Sequence, residues 1–133
     1  MPATSKRILL VDDEQLVRDV CSELLSIEGY QVDTASDGLE ALSMINKAGY
    51  DLVVLDVNMP KLDGIDFYRK VARERADLDG RFLFITGDLY GEGETLEFFC
   101  KGASVLKKPF TRKDFLDSIR QILSRPAPPI APQ

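Results

Sequence analysis

The centre of the chain carries four apolar residues that end in an acid, Leu52-Val53-Val54-Leu55-Asp56, and continues Val57-Asn58-Met59-Pro60-Lys61-Leu62-Asp63-Gly64. A short, continuous apolar run is typical of a strand that is buried on both faces of a parallel sheet. Asp56 therefore leaves the core at a strand end and enters a loop shaped by one proline and one glycine. The pattern recurs where Asp12 and Asp13 follow Ile8-Leu9-Leu10-Val11, and where Thr86 follows Phe82-Leu83-Phe84-Ile85.

Apolar runs and helix-period segments alternate along the chain in five strand-helix units. Val105-Leu106 indicates a further short strand, and residues 30–34 alternate apolar and polar side chains as an edge strand does. This order predicts a doubly wound α/β sandwich on a parallel sheet with right-handed crossovers. Sites in such sheets form at the carboxyl ends of the strands. The polar residues predicted at those ends are Asp12, Asp13, Asp56, Thr86 and Lys108.

The predicted helices carry apolar stripes and capping signals. Gly29 is the expected stop of the first helix, Asp37 is the expected N-cap of the second, and Thr111 to Asp114 form a capping-box pattern before the last. The fourth predicted helix is the weakest, because Gly91 and Gly93 each cost about 1 kcal/mol relative to alanine, and we expect its start to be mobile. The expected buried stripe of the first helix is Val17, Val20, Cys21, Leu24 and Leu25.

Composition and charge narrow the functional classes. The chain has 133 residues, 44% hydrophobic and 29% charged, which predicts one globular domain. Its net charge of -5 argues against binding to nucleic acid or to anionic membranes. No apolar stretch approaches the roughly 18 residues of a membrane span, and no secretory signal is evident, so we expect a cytoplasmic protein. The absence of histidine excludes histidine-based zinc sites, Ser-His-Asp catalysis and a phosphohistidine carrier.

The two cysteines and the termini complete the outline of the chain. Cys21 and Cys100 lie on predicted helices without a CxxC motif, so we expect buried free thiols. We expect residues 1–5 to be flexible and residues 6–124 to form the domain. Residues 125–133 contain four prolines, which predicts an extended, disordered tail.

Three acids and one lysine at neighbouring strand ends suit a hard metal ion and a phosphoryl group. Carboxylates are ligands that Mg²⁺ prefers, and a cation offsets the repulsion between a carboxylate and an anionic donor. Three adjacent acids also repel one another, so we hypothesise that at least one has a raised pKa without metal. Taken singly, each residue has a plainer interpretation. Asp12-Asp13 fits a helix N-cap pair, Asp56 fits a turn, and Thr86 is a common strand residue.

Four pieces of sequence together carry a family resemblance. They are Ile8-Leu9-Leu10-Val11-Asp12-Asp13-Glu14, Asp56 to Gly64, Phe84-Ile85-Thr86-Gly87 and Lys107-Lys108-Pro109-Phe110. In this order, and over residues 6–124, the chain resembles the receiver domain of bacterial two-component response regulators. The resemblance implies a flavodoxin-like (βα)5 sandwich with a five-stranded parallel sheet in the order 2-1-3-4-5.

The resemblance also implies a role for each matched residue. Asp56 would accept the phosphoryl group, Thr86 would bond it, and Lys108 would be the cation beside it. The bond between Lys108 and Pro109 is expected to be cis, and Lys107 is expected to face solvent. Mg²⁺, with Mn²⁺ as a substitute, would be held by Asp12, Asp13, Asp56 and the backbone carbonyl of Asn58.

As a receiver, the chain would be a signalling domain that catalyses only its own phosphorylation and dephosphorylation. The implied donor is a sensor histidine kinase or a histidine phosphotransfer protein. A downstream protein would read the face of the fourth helix, fifth strand and last helix, with the chain monomeric or dimerising on phosphorylation. One alternative is a receiver taken from a hybrid histidine kinase or a longer regulator. A remote one is a phosphatase with Asp56 as nucleophile, although such enzymes place a second Asp where Asn58 stands.

The chain departs from the family pattern at two positions. Val105 stands where many receivers have the tyrosine or phenylalanine whose rotation couples to the threonine. Gly87 stands where alanine is more common, and glycine permits closer approach and more backbone freedom. Asn58 and Asp88 occupy variable positions that help orient the attacking water in the family. We therefore predict that replacing both with alanine slows the loss of phosphate without preventing phosphorylation.

Overall fold

A parallel sheet of five strands forms the centre of the computed structural model, which describes residues 5–59, 62–87, 100 and 103–125. The strands lie in the spatial order β2-β1-β3-β4-β5, and all four neighbouring pairs are parallel. This order confirms the doubly wound, flavodoxin-like sheet expected from the sequence. The strands are β1 Arg7–Val11, β2 Gln31–Ala35, β3 Leu52–Asp56, β4 Phe82–Thr86 and β5 Ser104–Lys107.

Four α-helices flank the sheet in the described part of the chain. They are α1 Gln15–Ile27, α2 Gly38–Lys47, α3 Gly64–Glu74 and a C-terminal helix Arg112–Leu123, with a 3-10 turn at Ala76–Leu78. The helix ends agree with the capping signals in the sequence. Gly29 follows α1 with a φ of 95°, and the Asp37 side chain accepts a hydrogen bond from Glu40 N. Thr111 and Asp114 form the predicted capping box.

The sheet carries one apolar core on each face, because alternate residues of a strand point to opposite sides. Leu9 and Val11 belong to the core under α2 and α3, whereas Ile8 and Leu10 belong to the core under α1 and the C-terminal helix. Every residue of β3 and β4 is buried, as their continuous apolar runs predict. The polar groups at the ends of these two strands therefore have a rigid base.

One helix residue differs from the expected pattern. Val20 was expected on the buried stripe of α1, but its side chain is 50% exposed. Cys21 and Leu25 are buried, so the axis of the buried face passes through these two residues and leaves Val20 on the flank. The expectation was wrong because a helix buries only a limited arc, and the spacing of apolar residues did not locate its centre. Both cysteines are buried and free, as predicted.

A buried arginine ties the C-terminal helix to the start of β4. The guanidinium of Arg81 donates to the backbone oxygens of Ile122, at 2.7 Å, and of Arg125, at 2.9 Å. Ile122 lies in the last turn of the helix, where intrahelical partners run out, and Arg125 lies two residues past its end. Arg81 therefore holds the point at which the chain leaves the C-terminal helix.

Several sequence-based expectations fall outside the described residues. They concern the flexible N-terminus over residues 1–4, the fourth predicted helix with Gly91 and Gly93, Asp88, and the proline-rich tail over residues 126–133.

Candidate functional site

The pairing register places two acids beside each other at the carboxyl edge of the sheet. Val11 is the register partner of Leu55. The next residues along the two strands are Asp12 and Asp56, so these acids leave the sheet at the same level. On its other side Asp56 is the register partner of Ile85, which precedes Thr86. The strand-end alignment expected from the sequence therefore holds for three neighbouring strands.

The lysine reaches the same edge through β5. Thr86 is the register partner of Lys107, and the backbone N of Lys108 donates to the backbone O of Thr86 at 2.8 Å. Lys107 is exposed and the peptide bond between Lys108 and Pro109 is cis, which confirms both expectations. Thr86 itself is fully buried. Val105 is half-buried and packs against the core under α2 and α3.

Three carboxylates converge at this edge. The side chains of Asp12, Asp13 and Asp56 each place an oxygen within 4.8 Å of the other two. Asp12 and Asp56 are only 3% exposed, whereas Asp13 is exposed. The cluster is thus closed on its protein side and open to solvent at Asp13. Among the described residues, the cations that contact this cluster are Lys108, at Asp56, and Arg18, at the backbone of Asp12, so its three acids outnumber them.

The surroundings of Asp12 raise the pKa of its carboxyl group. Burial raises its pKa to about 6, and the negative charge of Asp56 acts in the same direction. A hydrogen bond from Glu14 N to Asp12 Oδ1, at 2.8 Å, opposes the rise. This finding agrees with the hypothesis that at least one of the acids has a raised pKa. It also corrects the plainer interpretation of the pair, because Glu14 is the N-cap of α1 and neither aspartate is.

Both oxygens of Asp56 accept hydrogen bonds. Asn58 N donates to Asp56 Oδ1 at 2.8 Å, and Lys108 Nζ donates to Asp56 Oδ2 at 3.2 Å. The Lys108 side chain is 40% exposed, so its ammonium approaches the carboxylate from the open side of the site. The plane of the Asp56 carboxylate is fixed by one backbone donor and one cation.

The donor set fits a hard divalent cation. Oxygen ligands from several carboxylates, together with open coordination positions for water, are typical of Mg²⁺ sites. Burial, and then the charge of Asp56, raise the pKa of Asp12, and a cation among the three acids would favour its ionised form. Asp12, Asp13 and Asp56 are therefore placed to hold such an ion.

Two contacts at the site were missed by sequence reasoning. Arg18 donates from its guanidinium to the backbone oxygen of Asp12 at 2.6 Å, and so supports the acid from the first turns of α1. The side-chain oxygen of Asn58 accepts a hydrogen bond from Gly87 N at 2.8 Å, which joins the loops after β3 and β4. From the sequence, Asn58 was expected only to offer its backbone carbonyl to the metal and to help orient the attacking water. A contact across 29 positions leaves no local pattern in the sequence.

Most of the chain matches a known protein family. The family is described as the response regulator receiver domain, and the match covers residues 8–120. The chain belongs to this family. The response regulator SaeR of Staphylococcus aureus is 34% identical over 119 residues, which are 89% of this chain and 50% of SaeR. This receiver domain thus spans about half the length of the curated relatives that it matches.

Solved receiver structures have the same architecture. The chemotaxis protein CheY4 of Vibrio cholerae superposes with a TM-score of 0.80 at 30% identity, covering 90% of this chain and 99% of CheY4. The non-phosphorylated HemR receiver domain of Leptospira biflexa gives 0.83 at 30% identity, covering 95% and 100%. TrrA of Thermotoga maritima, solved in complex with Mg(2+)-BeF, gives 0.75 at 29% identity, covering 88% and 98%.

Family membership makes this chain a signalling domain of two-component systems. Receiver domains of response regulators work with histidine kinases and with downstream effectors. Among the helices that the structure describes, none is both long enough and apolar enough to cross a membrane.

Proposed function

We propose that Asp56 accepts a phosphoryl group from a phosphohistidine and later loses it by hydrolysis. The observation that carries this proposal is the environment of the Asp56 carboxylate, which is 3% exposed and bonded by Asn58 N and by Lys108 Nζ. The carboxylates of Asp12 and Asp13 stand within 4.8 Å of it. The donor is a sensor histidine kinase or a histidine phosphotransfer protein.

The metal of this site is Mg²⁺, for which Mn²⁺ can substitute. The residues that would hold it are Asp12, Asp13, Asp56 and Asn58, the last through its backbone carbonyl. When bound, the cation supplies the positive charge that offsets repulsion between the Asp56 carboxylate and the anionic phosphoryl donor. The TrrA structure, solved with Mg(2+)-BeF, supports this assignment by similarity.

The residues of the chain divide the remaining work. A carboxylate oxygen of Asp56 forms a bond to phosphorus while the phosphorus–nitrogen bond of the donor breaks, and the imidazole keeps the bonding electron pair. Lys108 places its ammonium where negative charge spreads over the phosphoryl oxygens. Thr86 supplies a hydroxyl donor from the end of β4. Hydrolysis then breaks the phosphorus–oxygen bond with water and restores the carboxylate, so the domain catalyses only its own phosphorylation and dephosphorylation.

Phosphorylation of Asp56 changes the surface that a downstream protein recognises. A downstream protein reads the face that includes β5 and the C-terminal helix, together with the fourth predicted helix, which lies outside the described residues. Lys107 is the register partner of Thr86, so a movement of the threonine acts directly on β5. Because Val105 is not aromatic, the relay here runs through β4 and its following loop. We propose a cytoplasmic protein, monomeric or dimerising on phosphorylation, that does not bind nucleic acid directly.

Intact-mass measurement tests the proposal. The wild type, incubated with a small acyl phosphate and Mg²⁺, is expected to gain one base-labile phosphoryl group, and chelation of the metal is expected to prevent the gain. Asp56→Asn is expected to gain none. Asp19→Asn, which changes an exposed acid on α1, is the matched control and is expected to behave as the wild type. A wild type that gains no phosphoryl group, or an Asp56→Asn variant that gains one, overturns the proposal.

A further inference from the structure

We propose that the side chain of Asn58 is a latch that holds Gly87, the first residue after β4, in its unphosphorylated position. Its oxygen accepts a hydrogen bond from Gly87 N at 2.8 Å, while its own backbone N donates to Asp56 Oδ1 at 2.8 Å. One residue thus contacts both the acid and the segment that follows Thr86. Asn58 is a positioning residue, because it acts on the site through Gly87. This inference rests on the proposed function for its consequence, but the contact itself is independent of phosphorylation.

The Asn58 side chain accepts a hydrogen bond from Gly87 N, and the backbone N of the same residue donates to Asp56. A single residue therefore connects this donor to the acid. Lys108 Nζ and Asn58 N already serve the two carboxylate oxygens. A phosphoryl group on Asp56 adds three strong acceptor oxygens that need further donors. Gly87 N is the next backbone donor after Thr86, and the neutral amide oxygen of Asn58 is its partner.

The two acceptors compete for one N–H group. Hydrogen bonds to an ionised oxygen are about twice as strong as those between neutral groups, so a phosphoryl oxygen draws the Gly87 N–H away from Asn58. Glycine at this position lets the backbone turn at little steric cost. In the unphosphorylated protein the Asn58 bond stabilises the resting arrangement, and a ligand must overcome it. Asn58 therefore biases the switch toward its inactive side.

The size of the bias follows from the environment of the bond. Asn58 Oδ1 and Gly87 N meet at the protein surface. A net contribution typical of one neutral hydrogen bond corresponds to a factor of about 2 to 10 in the equilibrium between the two arrangements. Removing the latch is expected to tighten the binding of a phosphoryl mimic by the same factor.

The Gly87 amide provides a direct readout in the metal-free, unphosphorylated protein. In Asn58→Ala its proton resonance is expected to move upfield and its hydrogen exchange to accelerate. Asn58→Asp keeps an acceptor oxygen at the same place, and because an ionised oxygen accepts a stronger bond, the Gly87 resonance is expected to lie at or downfield of its wild-type position. An Asn58→Ala variant whose Gly87 amide neither moves nor exchanges faster overturns the latch.

The coupling to the switch is measured with beryllofluoride as the phosphoryl mimic. Calorimetric titration with Mg²⁺ and beryllofluoride is expected to give about 2- to 10-fold tighter binding for Asn58→Ala than for the wild type. Equal or weaker binding, with the Gly87 amide shifted, overturns the competition. A wild type that binds no beryllofluoride overturns the proposed function instead, and the amide readout alone then decides whether the latch exists.

Discussion

Replacing Asp12 with asparagine should stabilise the metal-free protein at neutral pH. Asp12 is 3% exposed and its pKa rises from 3.8 to about 6, chiefly through burial and then through the charge of Asp56. A folded-state pKa above the unfolded value means that the folded protein binds the proton more tightly. The free energy of unfolding therefore falls as pH rises from 3.8 to 6, and the ionised acid costs stability above that range.

The magnitude follows from the same shift. At about 1.4 kcal/mol per pKa unit, the rise from 3.8 to about 6 sets an upper value of about 3 kcal/mol. Solvent reaches the cluster through exposed Asp13, and screening there reduces the expected gain to about 1–2 kcal/mol. Asparagine keeps an oxygen that accepts the hydrogen bond from Glu14 N, so the geometry of the turn is retained.

Urea unfolding in the presence of a chelator measures the effect. Asp12→Asn should be more stable than the wild type at pH 8 and should lose this advantage near pH 4. Asp13→Asn, the exposed neighbour, is the matched control and should change the metal-free stability less. Saturating Mg²⁺ should reverse the order, because a ligand that binds only the folded wild type stabilises it by about 2.7 kcal/mol at 100 times its Kd.

Two results would refute this reasoning. An Asp12→Asn variant that is less stable than the wild type at pH 8 without metal would show that the ionised acid stabilises the fold. A difference between the two proteins that is the same at pH 4 and pH 8 would show that Asp12 does not titrate in that range.

Three further substitutions test the site, a docking face and the core. Lys108→Met should slow phosphorylation by a small acyl phosphate about 100-fold or more, measured by intact mass, whereas exposed Lys107→Met should stay near the wild-type rate; equal rates would contradict the role of Lys108. Leu16 and Val20 are exposed apolar residues one turn apart on α1, the helix that follows Asp12 and Asp13, and we expect a phosphohistidine donor to dock on them. Val20→Asp should therefore slow transfer from such a donor but not from a small donor, whereas Leu39→Asp on α2 is the control; equal slowing in both would count against docking on α1. Tyr68→Phe should lower the free energy of unfolding by about 1–2 kcal/mol in urea, since its hydroxyl donates to Asp79 at 2.7 Å and accepts from a backbone N–H at 2.9 Å; an unchanged midpoint would contradict this.

The strand ends were predictable because their signals are local. Each buried strand is a continuous apolar run, and a parallel sheet aligns the residues that follow such runs at one edge. The sequence alone therefore predicts that Asp12, Asp56 and Lys108 lie together. The capping residues Asp37 and Thr111 were predictable for the same reason, since a cap bonds to the backbone within one turn.

The remaining features depend on contacts between distant parts of the chain. The exposure of Val20 depends on which arc of α1 meets the sheet, and apolar spacing does not determine that arc. The bond from Gly87 to Asn58 joins two loops, and the Arg81 bonds span more than 40 positions. Side chains of these residue types occur on most protein surfaces, so their identity alone does not indicate a long-range partner.

The Arg81 contact and the acid cluster lie at opposite ends of the sheet, which are called its two poles. Arg81 precedes the first residue of β4 and Thr86 is the last, so about five residues of extended strand, or roughly 17 Å, lie between them. Any segment that continues past Arg125 starts at the pole opposite the acids. The acids therefore lie at one end of the sheet and Arg125 at the other, so a signal from Asp56 to Arg125 has to travel the length of a strand.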